Sequence, residues 1–167
     1  MGLFDRRQRI EENFNDPLIP DNEWLAAGES RFNSLLSRHY GSPDTIADGG
    51  DQRRNMGDLT AALHFYAKAI DTLDSIYVCA GEEPDSWSRE PSAEDIGIVD
   101  RYIATLRQIR DARPAALPNR SVLEVTGRIR RISSKFRRHG LNSAEYVRRL
   151  DDLAAVAPEV DVSGLYW

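Results

Sequence analysis

Residues 57–71, GDLTAALHFYAKAID, predict the helix around which the rest of the chain is organised. From this stretch to Tyr77, apolar side chains recur every three or four positions, the spacing that places them on one face of an α-helix. The stripe comprises Leu59, Ala62, Leu63, Tyr66, Ala69, Ile70, Leu73, Ile76 and Tyr77. Full burial of a large apolar side chain contributes about 1.5–3 kcal/mol. A helix over residues 58–79 is therefore expected to anchor the core, with Thr60, Asp71 and Asp74 outside the stripe.

Helical spacing and capping residues recur along the chain. Asp21, Ser42 and Ser92 are suited to cap helix starts, because a side-chain oxygen accepts from exposed backbone N–H groups, and Gly140 is suited to end a helix. The predicted helices are 21–40, 43–56, 58–79, 92–113, 121–139 and a last one that begins after Asn142 or Ser143. No segment alternates apolar and polar residues with the two-residue period of a half-buried strand. The prediction is an all-α fold, a compact bundle of five or six helices in antiparallel hairpins.

The domain organisation follows from the places where the helical pattern is interrupted. Residues 1–20 have few apolar anchors and are expected to form a loosely ordered N-terminal arm. Residues 21–167 are expected to form a single helical domain, because either half alone would be small for a self-sufficient core. The stretch GEEPDSWSREPS, residues 81–92, is rich in Gly, Pro and Ser and marks the expected seam within that domain.

Composition bounds the class of protein. The chain has 167 residues, a formal net charge of -5 and one cysteine, Cys79. The negative charge argues against a surface that is basic overall and made for nucleic acid. A single cysteine allows no intramolecular disulfide, and no apolar run approaches the roughly 20 residues that span a bilayer. The expectation is a cytoplasmic protein without a membrane segment.

The helix of the opening stretch, together with the segment before it, resembles a tetratricopeptide repeat over residues 43–77. The residues that carry the resemblance are Gly50, Gly57, Ala62, Tyr66 and Ala69. Such a repeat pairs two antiparallel helices and has small residues where their backbones approach each other. The resemblance implies a scaffold that binds a protein or peptide. Consecutive glycines cost about 1 kcal/mol each relative to alanine in a helix, so whether the helix of residues 43–56 is regular, or short and irregular, is left open.

Candidate reactive groups are few and scattered. Asp44, Asp48 and Asp51 have helical spacing suited to a hard cation, but acids in this position also stabilise the positive end of a helix dipole. His39, His64 and His139 are far apart in sequence and lack the spacing of a helical metal site. Cys79 has no cationic neighbour in the sequence that would activate a thiol. The prediction is a protein that is not an enzyme and has no cofactor or metal.

The strongest charge pattern is the basic face of the helix at 121–139. Its stripe is formed by Arg128, Arg131, Lys135 and Arg138, while Arg130 and Arg137 flank the apolar face on another side. Such a stripe is suited to phosphates or to an acidic protein. It is equally consistent with a solvated surface, or with neutralisation by the acids of residues 81–100. Further candidate binding residues are Arg53 and Arg54, beside the repeat-like hairpin, and the C-terminal Tyr166 and Trp167.

These patterns favour a non-enzymatic helical interaction or adaptor protein, whose partner is another protein or peptide, with acidic partners included. One alternative is a nucleic-acid accessory protein that uses the basic helix at 121–139. Another is a small-ligand or enzyme pocket between the two helical halves of the domain. The oligomeric state is left open.

Overall fold

A computed structural model describes residues 42–79, 91–113 and 117–165 of the chain, with side chains 78 and 79 excepted. These ranges contain five α-helices and no strand, so the all-α prediction is confirmed for them. The helices are α1 (Pro43–Asn55), α2 (Leu59–Cys79), α3 (Ala93–Ala112), α4 (Asn119–Arg138) and α5 (Ala144–Val156). The predicted arm at 1–20, the predicted helix at 21–40 and residues 81–90 of the expected seam lie outside the described residues.

Local sequence explains where the helices begin and end. The Ser42 side chain accepts from the backbone N–H of Thr45 at 3.4 Å, and Ser92 accepts from Asp95 at 3.1 Å, as predicted. Gly140 follows α4 with a φ of 70°, the left-handed conformation that glycine adopts without strain. Each of these residues satisfies or redirects backbone groups that a helix end leaves without an intrahelical partner.

Two helix boundaries refine the prediction. Helix α4 begins at Asn119 rather than at residue 121, directly after Pro118, whose fixed φ is compatible with a helix start. Ser121 is therefore inside the helix, buried, with its hydroxyl 3.0 Å from that of Tyr102 on α3. Of the two predicted caps for α5, Asn142 forms a side-chain hydrogen bond, to the N–H of Ala144 at 3.0 Å.

Helix α1 is regular over its 13 residues, which answers the question that its two glycines left open. The reason lies in tertiary packing. Gly49 and Gly50 are both buried, and a Cβ added to Gly50 would lie 2.6 Å from the ring of Tyr66 on α2. Packing against α2 therefore outweighs the helix propensity that the two glycines lack. Gly57, with a φ of 80°, makes the tight turn between the helices.

The helices form a ring with one outer helix. Helix α2 packs against α1, α3 and α4, while α5 packs against α3 and α4. The order around the bundle is therefore α2, α3, α5, α4, and α1 lies at the α2–α3 edge, where it contacts both helices. A single hydrophobic core extends through all five helices.

The predicted apolar stripe of α2 is largely buried, but burial extends further around the helix. Leu63, Tyr66, Ile70 and Leu73 are buried as expected, whereas Ile76 is 44% exposed. Residues that the stripe did not include are also buried: Thr60, Phe65 and Asp74. A helix with neighbours on three sides buries more than the single face that a surface helix presents to a core.

Candidate functional site

A groove lies between α4, α5 and the residues that follow α5. We call it the α4–α5 groove. It encloses a volume of about 570 Å3. Its floor and walls are mostly apolar and include Val122, Val147, Leu150, Ala154 and Val160. Val147 is 45% exposed and Ala154 also faces solvent, so the groove is open along one side.

The chain after α5 forms the third wall of the groove and is held by two arginines. Arg130 of α4 donates from Nη1 to the carbonyl oxygen of Val162 at 3.0 Å. Arg110 of α3 donates to the carbonyl of Val156 and forms an ion pair with Glu159 at 3.2 Å. These contacts fix the segment at two separate points, so the groove has three walls that belong to the folded chain.

The groove carries opposite charges on its two helical walls. Arg130 and Arg137 lie on the α4 side, seven residues and thus about 10.5 Å apart along the helix. Asp151 lies on the α5 side. Arg137 and Asp151 are both exposed, whereas Arg130 is half-buried against the chain after α5. A ligand in the groove would therefore meet an exposed cation on one rim and a carboxylate on the other.

The opposite side of α4 faces α2, and there the basic stripe meets acids. Arg128 lies 3.2 Å from a carboxylate oxygen of Asp71 and 3.7 Å from one of Asp74. Arg131 lies 2.6 Å from Asp74, whose side chain is 8% exposed. These acids belong to α2. The sequence suggested the acids of residues 81–100 as the neutralising group, and those at 81–90 lie outside the described residues. Arg128 and Arg131 of the predicted stripe are thus engaged in ion pairs within the fold.

The other predicted binding residues that the structure describes lie on two different helices, α1 and α4. Arg54, in the last turn of α1, donates from Nε to Gln108 of α3 at 2.8 Å, and Arg53 precedes it. Lys135 and Arg138 are in the last turn of α4, where Lys135 is half-buried and Arg138 is exposed. The predicted residues Tyr166 and Trp167 lie outside the described residues.

A small polar pocket of about 150 Å3 lies between α2 and α4, and is lined by His64, Lys68, Asp71, Glu124 and Arg128. Burial lowers the pKa of His64 from 6.5 to about 3. The imidazole is therefore neutral at physiological pH, and its pKa is far from the operating pH that favours a general acid or base. This pocket does not favour proton-transfer catalysis.

The acids of α1 are arranged as structural groups and not around a shared ligand position. Asp51 accepts from the Tyr66 hydroxyl at 2.5 Å and forms an ion pair with Arg101 of α3 at 2.8 Å. Asp44 and Asp48 are exposed. Within the part of the chain that the structure describes, no group of three or more His, Cys, Asp or Glu side chains is placed to hold a metal ion.

Sequence analysis missed the α4–α5 groove, although it singled out part of its wall. Arg130 and Arg137 were separated from the main basic stripe because they flank the apolar face of α4. The further signal was the small residue Ala154 on the predicted last helix, which leaves space that a larger side chain would fill. No sequence pattern indicated that the chain after α5 turns back along α4.

Comparison of the chain with protein-family models, with curated proteins and with solved structures found no match in any of the three. Among the described residues, no helix combines the length and the apolar character needed to cross a membrane. The resemblance of α1 and α2 to a tetratricopeptide repeat therefore stays a prediction from the residues that carry it.

Proposed function

We propose that this chain is a non-enzymatic helical interaction protein that binds a segment of another protein in the α4–α5 groove. The observation that carries the proposal is the groove itself, an open and mostly apolar trough with exposed charges on both rims. Apolar grooves between helices are a common docking place for protein segments, because apolar contact supplies affinity and the rim charges supply register. We place this interaction in the cytoplasm, since a chain with one cysteine forms no intramolecular disulfide.

A nucleic-acid accessory role has less support. Binding to a phosphate backbone depends on cations that release counterions from it. Arg128 and Arg131 already neutralise acids of α2, which reduces the charge that the stripe offers to an external polyanion. On the other side of α4, Asp151 places a carboxylate beside the groove, where it would repel phosphates.

A small-ligand site has one observation in its favour, since the groove volume falls within the range of about 300–1,000 Å3 typical of ligand pockets. Such pockets usually enclose about 70–90% of the surface of their ligand. The α4–α5 groove leaves one side of any occupant in water. It also lies within the second half of the domain, and not between the two halves where the sequence suggested a pocket. A protein segment fits this geometry better.

The proposal is tested with full-length chains that differ at two adjacent positions on α5. Ala154 lines the groove, whereas Ala155 is exposed but does not line it. Affinity capture from a native lysate is expected to enrich one defined protein with the wild type and with Ala155→Arg. Ala154→Arg is expected to lose that protein while its thermal unfolding midpoint stays close to that of the wild type.

Two results would argue against this function. One is a partner that Ala154→Arg retains as well as Ala155→Arg does, because binding would then be elsewhere on the surface. The other is the recovery of nucleic acid alone, with binding that falls steeply as salt is raised, which is the behaviour of the accessory protein.

A further inference from the structure

We propose that the occupant of the α4–α5 groove is an amphipathic helix of a partner protein, which places an acidic side chain against Arg137 and a basic side chain against Asp151. The inference rests on the proposed function and names the chemistry of the partner.

The walls of the groove select a helix over other forms of peptide. An extended peptide usually binds by adding a strand to the edge of a sheet, where it forms hydrogen bonds with unpaired backbone groups. The two long walls here are helices, whose backbone groups are bonded within each helix. Polyproline segments dock on aromatic surfaces, and the described lining residues of this groove include no aromatic side chain. A helix that buries one apolar face needs neither of these features.

The shape of the groove also matches a helix. The groove-lining residues of α5 run from Val147 to Ala154, seven residues or about 10.5 Å along the helix. A helix of about three turns covers this length and brings side chains at i, i+3 or i+4, and i+7 to one face. Because the groove is open on one side, the opposite face of the docked helix stays in water and is expected to be polar.

The rim charges define the partner further. Arg137 and Asp151 lie on opposite helical walls and are exposed, so both are available to an incoming helix. Arg130 is already hydrogen-bonded to Val162, which makes it a wall residue and not the main anchor. Opposite charges on the two rims fit a helix with an acid on one flank and a base on the other. They fit a polyanion poorly, because one rim repels it.

The test is a selection from displayed peptides with the full-length chain as bait. The library contains amphipathic helices of about four turns, with an apolar stripe fixed at helical period and the flanking positions randomised. Enriched peptides are expected to carry an acid on one flank and a base on the other. Ala154→Arg is expected to weaken the best peptide more than about tenfold, because it places a charge in the apolar trough. Ala155→Arg is the matched control and should not change its affinity.

A charge exchange tests the predicted orientation. Arg137→Glu is expected to weaken the best peptide about threefold, as for a rim ion pair. Replacing the acid of the peptide with Lys should restore binding to Arg137→Glu while weakening binding to the wild type. The same logic applies to Asp151→Lys with the base of the peptide replaced by Glu.

The outcomes separate this inference from the proposed function. If a lysate partner depends on Ala154 but neither charge exchange restores binding, the amphipathic pairing is wrong and the groove remains a docking site. No enriched peptide, or displacement of the selected peptide by an oligonucleotide, would also overturn the inference. If neither the lysate partner nor any peptide is sensitive to Ala154→Arg, both proposals fail.

Discussion

The helical hairpins α1–α2 and α4–α5 differ in how closely their helices pack. In the closed hairpin, α1–α2, Gly50 lies so near the ring of Tyr66 that a single added Cβ would approach it to 2.6 Å. In the open hairpin, α4–α5, the helices and the chain that follows them leave a groove of about 570 Å3. Small residues are present in both, but only in the first does a large side chain fill the space beside them.

The difference indicates which hairpin stabilises the fold by tight packing and which one leaves apolar surface available for contact. Tight packing maximises apolar burial and dispersion in the closed hairpin, at the expense of any space for a ligand. In the open hairpin, Val147 is 45% exposed and lies together with other apolar side chains along the groove. Apolar surface that a folded domain leaves together in a groove is typical of a binding site.

The largest expected effect comes from the same substitution made in both hairpins. Ala62→Arg introduces a cation at a fully buried position of α2, where the penalty for an unpaired buried charge is several kcal/mol. Because domains are stable by only about 5–15 kcal/mol, this variant is expected to be unfolded or molten. Ala154→Arg, in the open hairpin, should change the free energy of unfolding by less than about 0.5 kcal/mol. Circular dichroism during urea unfolding measures both, and equal stability of the two variants would contradict the comparison.

A second substitution concerns the ion pairs that join the two hairpins. Asp74 accepts from Arg131 at 2.6 and 3.2 Å and lies 3.7 Å from Arg128. Asp74→Ala leaves both cations without this acid, but Arg131 is 47% exposed and can return to water. We expect a loss of about 2 kcal/mol, between the values for surface and for buried pairs.

Asp71→Ala is the matched control, because Asp71 lies one turn away on the same helix and is more exposed than Asp74. Its effect should stay below about 1 kcal/mol. Equal losses for the two variants would show that burial of Asp74 does not make its ion pairs stronger.

A smaller effect is expected from replacing glycine with alanine at two helical positions that differ in their surroundings. In a helix, glycine to alanine gains about 1 kcal/mol, whereas overpacking costs about 1–3 kcal/mol. At Gly50 the contact with Tyr66 outweighs the gain, so Gly50→Ala should lose about 1 kcal/mol. At Gly97 of α3 an added Cβ meets nothing within 4 Å, so Gly97→Ala should gain stability. Thermal unfolding gives the sign of each change, and stabilisation by Gly50→Ala would mean that α1 and α2 are loosely packed.

This contrast also explains what sequence could predict. The all-α class and the caps at Ser42 and Ser92 follow from local rules, because helical period and capping depend on neighbours in the chain. Gly50 was expected where the two helices approach each other, and in the structure an added Cβ there would lie 2.6 Å from the ring of Tyr66. The regularity of α1 was left open because it depends on packing against α2, which propensity does not include.

The candidate site depended on contacts that are distant in sequence. Asp74 and Arg131 are 57 residues apart, so no helical spacing could have paired them. The groove depends on the chain after α5 turning back to Arg130, a contact across 32 residues. Charge patterning singled out α4, but only the neighbouring helices decide which of its arginines are neutralised.

The smallest expected effect tests whether water is excluded from the interface between α2 and α4, which joins the two hairpins. His64 of α2 lies in the polar pocket at this interface, with Lys68, Asp71, Glu124 and Arg128 around it. Burial lowers the pKa of His64 from 6.5 to about 3. Because the folded state binds the proton more weakly than the unfolded state, stability is full above pH 6.5 and is lost as pH falls towards 3. Between about pH 7.5 and about pH 6, where carboxylates remain charged, the loss should be about 0.8 kcal/mol. Urea midpoints at the two pH values measure it, and His64→Gln should remove that part of the dependence. If the wild type and His64→Gln show the same pH dependence, then water reaches the imidazole, and the α2–α4 interface is open as the groove is.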